Sequence, residues 1–150
     1  MNLHLGRPLL AMVFFLALTL HAPAATVADT ARKWGLIGPW SPDCSLPPDR
    51  NEGMVLAYEI ARGDRVVHRR KFGAASDESE VIKAEVSGDG MLNLRVFFPR
   101  LKQTRAYGFV MQPDGTMRAI YNRNQKDEYT IRDGKFTANG HPTPALHKCR

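Results

Sequence analysis

The chain has 150 residues, 43% of them hydrophobic, with 21 Lys plus Arg against 15 Asp plus Glu and a formal net charge of +6. The balance is moderately basic and excludes a polybasic tail. Once an N-terminal apolar run is set aside, what remains has the size of one ordinary domain and no second hydrophobic stretch that suggests a membrane span.

The first residues follow the order of a secretory signal. Arg7 supplies positive charge, Leu9 to Leu20 form an apolar run, and the small residues Ala22, Ala24 and Ala25 come next. A bilayer span takes roughly 20 apolar residues, and this run is shorter. Residues 1–25 are expected to be a cleaved signal peptide, with Ala28 an alternative cleavage point and an uncleaved anchor the competing reading. Residues 26–150 are expected to be a single β-barrel domain in the periplasm or outside the cell. Without Arg7 that domain has 20 Lys plus Arg against 15 Asp plus Glu, a net charge of +5. Such a charge favours anionic partners only weakly.

The domain reads as β. Met54, Leu56, Tyr58 and Ile60 alternate with their neighbours, as do Leu92, Leu94, Val96 and Phe98, and Tyr107, Phe109 and Met111. No helical stripe of ten residues follows position 26. Tight turns are predicted at Arg62-Gly63-Asp64, Gly88-Asp89-Gly90, Pro113-Asp114-Gly115 and Asp133-Gly134. Longer polar connections run from Gly73 to Glu78, Pro99 to Thr104 and Arg123 to Lys126. Strands are predicted near 54–61, 65–72, 79–87, 91–98, 105–112, 116–122, 127–132 and 135–138, after a short one around Leu36 to Trp40. The fold class is therefore all-β: an antiparallel up-and-down meander of eight to nine strands closing into a small barrel. Tight turns gather at one end and long loops at the other. The tail from Gly140 to Pro144 is expected to run over the surface.

Cys44 and Cys149 are an even pair in a chain read as exported, so a disulfide between them is expected. The loop after Ser41 and the strand at 135–138 both lead to the long-loop end, which brings the two cysteines together. A metal site from Cys44, Cys149 and His147 is the alternative, without a Cys-x-x-Cys pair to support it.

The segment Trp34-Gly35-Leu36-Ile37-Gly38-Pro39-Trp40 resembles the first strand of lipocalin-like barrels, which begin with a Gly-x-Trp element, here Gly38 and Trp40. The resemblance implies that Trp40 plugs the barrel floor beneath a basic residue from a late strand, for which Arg132 is the candidate. Trp34 is the alternative floor residue. More broadly, the chain resembles small exported proteobacterial proteins of unassigned function that share its Trp, Cys and turn pattern.

No Gly-x-Ser-x-Gly, His-Glu-x-x-His or phosphate-loop motif occurs, so neither an enzyme nor a cofactor is expected. The clusters of interest are basic. Arg69, Arg70 and Lys71 end a strand that rises to the long-loop end. Arg100, Lys102 and Arg105 surround one long loop, and Arg123 and Lys126 another. Cations converging on a concave mouth attract carboxylates or phosphates. The expected function is a non-catalytic exported binding protein, with a small anionic or amphipathic ligand held by Arg100, Lys102, Arg105, Arg123 and Lys126. A protein-interaction module, such as an inhibitor of a secreted hydrolase, is the alternative. Nucleic acid is not an expected partner.

Overall fold

The computed structural model describes residues 25–48 and 53–150. The segment read as a signal peptide thus lies, but for Ala25, outside the described residues. A short helix, α1 (Val27–Trp34), comes first and is followed by β1 (Gly38–Ser41), β2 (Val55–Ala61), β3 (Arg65–Phe72), β4 (Ala75–Val86) and β5 (Leu92–Phe98). A 3-10 turn at Pro99–Leu101 leads into β6 (Gln103–Met111), then β7 (Met117–Asn124), β8 (Tyr129–Arg132), β9 (Lys135–Phe136) and β10 (Ala145–Lys148). Each strand from β1 to β9 pairs antiparallel with the next, as the alternation and turns imply. β10 pairs with both β1 and β7. Eight strands, β1–β7 and β10, therefore close a barrel, and β8–β9 extend the sheet beyond it.

Four details depart from the sequence reading. The helix was not expected. It has only eight residues, too few for a ten-residue stripe, and depends on its ends: the Thr26 hydroxyl accepts from the Asp29 N–H, and Gly35 stops the last turn in the left-handed region. Its Ala28 and Ala31 are fully buried against the barrel. Secondly, Gly73 to Glu78 is not a long loop, because β4 starts at Ala75 and Phe72 faces Ala75 across a tight turn. The polar run after Ser76 is held in a strand by cross-strand ion pairs: Asp77 with Arg70, Glu78 with Arg69 and Glu80 with Arg65.

Thirdly, the closing strand comes from the tail. Thr143 is buried, its hydroxyl donating to the Ala119 carbonyl (2.7 Å) and accepting from Arg118 (3.2 Å), and this seats β10 on β7. The Cys44–Cys149 disulfide, with Cα atoms 5.5 Å apart, joins the loop after β1 to the end of β10. Its partners thus meet through β10 rather than through the strand at 135–138, and the metal alternative falls with it. Finally, the basic residue over Trp40 is Lys148, not Arg132. Trp40 is 1% exposed and donates its indole N–H to the Leu36 carbonyl at 2.7 Å. The Lys148 ammonium lies 5.5 Å from its ring centroid and reaches the Gly35 carbonyl. Arg132, on the extension, stacks on Tyr129 at 4.1 Å. Gly38 has φ +131°, a backbone conformation that favours glycine, and a Cβ there would also displace the end of the Lys148 side chain, 2.9 Å away.

The two ends of the barrel differ. At the end with the tight turns, α1 is tied down by Arg32 to Asp64 (3.3 Å) and by the Trp34 indole to the Gly90 carbonyl (3.0 Å). The core there is apolar: Leu36, Trp40, Leu92, Phe109 and Met117. Toward the other end the interior becomes polar.

Candidate functional site

Strand alternation builds the polar end. In β3, Val66, His68 and Arg70 point into the barrel, while Arg69 points out to Glu59 and Glu78. The register aligns Tyr58 of β2, His68 of β3 and Ser79 of β4 in one row across three strands. The next row toward the open end is Leu56, Arg70 and Asp77. Arg70 grips Asp77 with two donors, its Nε lying 2.8 Å from Oδ1. Its guanidinium also sits 5.0 Å from the Phe98 ring centroid. Arg70 and Asp77 are partly buried, so this is a desolvated pair rather than a surface one.

The row behind that pair is short of partners. Tyr58 and His68 are at most 1% exposed and Ser79 is 4% exposed. The Tyr58 hydroxyl, both ring nitrogens of His68 and the Ser79 hydroxyl have no hydrogen-bond partner among the described residues. His68 is packed among rings instead, 4.9 Å from Tyr58, 5.8 Å from Tyr107 and 6.1 Å from Phe98. Burial holds the imidazole neutral, lowering its pKa to about 3; the Arg70 charge acts in the same direction and Asp77 opposes it. Burial likewise pushes the Tyr58 phenol well above its ordinary value. For Arg70 burial works against the charge, but the Asp77 hydrogen bonds and charge outweigh it and raise the pKa.

A pocket of about 150 Å³ opens beside this row, its lining including the cations Arg70 and Arg100, the acids Asp77 and Glu78, and Ser79 and Phe98. Ser79 is the member of the row that lines it, but its hydroxyl oxygen is itself buried away from the opening. Ser79 beside a neutral histidine has the residue types of a nucleophile and its base. No hydrogen bond joins them, and no group orients the ring from its other nitrogen, as acyl-transfer chemistry needs.

The five basic residues expected around the mouth all sit at this end, but they do not converge. Arg100 lines the pocket, and Lys102 caps the same 3-10 turn, exposed, with φ +47°. Arg105 is tied to Asn122 (2.6 Å) and Thr130 (3.1 Å). Arg123 pairs with Asp127 and belongs to a separate depression of about 360 Å³ on the outer wall, with Lys83, Arg95 and Tyr121. Lys126 is exposed in the β7–β8 turn. Tyr58, His68, Asp77 and Ser79 were missed as site residues, and Arg70 was noted only as part of a basic run. The signal was present: in His68-Arg69-Arg70-Lys71, period two places His68 and Arg70 on the face of Val66. Among the described residues no cluster of His, Cys, Asp or Glu is arranged to hold a metal ion, and no helix is long and apolar enough to cross a membrane.

No family model matches the chain, and neither the curated proteins nor the solved structures contain a match.

Proposed function

We propose that the mature domain is a non-catalytic binding protein of the periplasm or the extracellular space, and that it takes a small anionic molecule at the open end of the barrel. The observation that carries this reading is the Ser79 pocket. It is an opening at the polar end of the barrel where Arg100 stands on the rim beside the Arg70–Asp77 pair and Glu78, next to buried side chains short of hydrogen-bond partners. Arg70 is engaged by Asp77, so the cation open to a ligand's acid group is Arg100 on the rim. The interior beyond the pocket is filled by Tyr58, Phe98, Tyr107 and Phe109, which favours a small ligand over a long acyl chain. Placement outside the cytoplasm rests on the order of residues 1–25 and on the disulfide.

The reading is tested by titrating acetate, propionate, succinate and phosphate into the disulfide-intact protein, followed by amide chemical shifts. Residues around Ser79, Phe98 and Arg100 should shift together with one affinity. Added salt and Arg100→Gln should both weaken binding, because exposed charge is screened within about 10 Å at 0.1 M salt. Absence of any saturable shift at millimolar ligand would overturn the proposal and move the protein-interaction reading ahead.

A further inference from the structure

The depression on the outer wall shares no lining residue with the Ser79 pocket, and an aromatic ring forms part of its floor. Tyr121 of β7 faces Gly108 of β6, and Gly108 faces Asn93 of β5. The Tyr121 hydroxyl donates to Asn93 Oδ1 at 2.7 Å, so the side chain reaches across β6 to the strand beyond. A Cβ on Gly108 would lie 2.2 Å from the ring, which therefore lies over the glycine and is fixed at its far end. One face of the ring covers the sheet, and the half-buried residue presents the other to the depression of about 360 Å³.

Charge flanks the ring. The next row toward the open end is Lys83, Arg95, Ala106 and Arg123, on β4 to β7. Ala106 carries only a methyl, so the two arginines stand two strand spacings apart, about 10 Å, with a gap between them. Lys83 opposite Arg95 is a like-charged cross-strand pair, an arrangement that an anion relieves. Lys83 is joined to Glu85 (2.8 Å) and Arg123 to Asp127, and both acids line the depression. Arg95 is exposed and has no acidic partner among the described residues.

This mixture of charges selects among anions. Arg95 matches one acid group. Glu85 and Asp127 repel a ligand that is all anion, but they accept hydrogen bonds from hydroxyls. The negative face of the Tyr121 ring attracts the C–H groups of a saturated ring laid on it. A sugar ring bearing a carboxylate answers all three, and the volume falls in the roughly 300–1,000 Å³ range of small-molecule clefts. An adjoining depression of about 510 Å³ shares Tyr121 and Arg123 and adds Tyr129, Arg132 and Asp133, which leaves room for the neighbouring unit of a chain.

We propose that the outer wall binds an acidic polysaccharide, with one uronate ring on Tyr121, its carboxylate at Arg95 and the next unit toward Tyr129 and Arg132. This goes beyond the anion pocket at the open end. The two sites share no residue, so either can fail without the other.

The test is titration of the disulfide-intact protein with glucuronate, glucose, acetate and an oligogalacturonate, followed by amide chemical shifts. Glucuronate should shift Arg95, Ala106, Gly108 and Tyr121 together. Read at those residues, it should bind about fivefold more tightly than glucose, the effect of one exposed ion pair, and about fivefold more tightly than acetate, the effect of the ring contact. The oligomer should bind more tightly again. Arg95→Gln should remove the advantage over glucose and Tyr121→Ala the advantage over acetate, while Arg100→Gln changes neither. A thermal melt checks the fold of Tyr121→Ala, and the exposed change Arg95→Gln carries the test if that variant is unfolded. Equal affinity for glucuronate and glucose, equal affinity for glucuronate and acetate, or an oligomer no tighter than the monomer would overturn the proposal. Shifts confined to Ser79, Phe98 and Arg100 would overturn it too and leave the open-end pocket standing.

Discussion

Acidification should destabilise this barrel through His68 before it reaches the surface carboxylates. The imidazole sits fully buried among Tyr58, Phe98 and Tyr107, with Ser79 beside it, Arg70 close enough to repel its proton and Asp77 as the opposing charge. Its folded pKa of about 3 is below the ordinary 6.5, so as pH falls the unfolded chain takes up the proton first. The stability contributed by neutral burial is complete above pH 6.5 and is lost progressively down to about 3. At about 1.4 kcal/mol per pH unit, two units below the unfolded value remove roughly 3 kcal/mol by pH 4.5. Asp29, Asp43, Asp89 and Asp114 are held below the usual carboxylate value by hydrogen bonds from the Thr26, Ser45 and Ser87 side chains and the Thr116 backbone, so their contributions fade at more acid pH. The interval from pH 6.5 to 4.5 therefore isolates the histidine. Urea unfolding followed by tryptophan fluorescence at several pH values should give a falling free energy for the wild type and a much flatter profile for His68→Gln. The His68 imidazole NMR shifts of the wild type should stay constant down to about pH 4. A His68 imidazole titrating near 6.5, or equal slopes in the two proteins, would refute the reasoning.

Three further outcomes follow from packing. Trp40→Ala should cost about 3–5 kcal/mol in urea unfolding, as large core truncations do, because the ring is 1% exposed and carries the Leu36 and Lys148 contacts; a wild-type midpoint would show that the floor is not built on this ring. Cys44→Ser should lower stability by about 4–5 kcal/mol on the chain-entropy account, since the bridge spans 105 positions; intact mass after alkylation with and without reductant verifies the bond, and denaturation measures its effect. Gly108→Ala should cost about 1–3 kcal/mol, the range for overpacking, because an added Cβ would lie 2.2 Å from the Tyr121 ring, whose hydroxyl is held by Asn93. In a Tyr121→Ala background the same change should cost much less, and an undiminished cost would mean that the ring is not what Gly108 accommodates.

Local pattern carried most of the fold. Period-two alternation in Leu92 to Phe98 and the Gly-Asp turns identify strands and tight connections whose reasons lie within a few residues. The polar start of β4 was illegible on the same logic, since Asp77, Glu78 and Glu80 read as loop until their partners on β3 are in place. The candidate site was legible only in part. Arg100 was found because it is a cation in a turn. His68, Ser79 and Tyr58 look ordinary in their own strands, and their significance lies in the register that aligns them.

By itself, the sequence determined an all-β meander and the identity of the cysteine pair, because alternation, turn chemistry and an even thiol count act over short range or by elimination. Only the tertiary structure decided that β10 closes the barrel, that Lys148 rather than Arg132 covers Trp40, and that the polar end of the interior is short of hydrogen-bond partners. Each of these depends on which residues meet across strands distant in the chain. Desolvation, the term that makes the unpartnered Tyr58–His68–Ser79 row costly, exists only once those strands have closed around it.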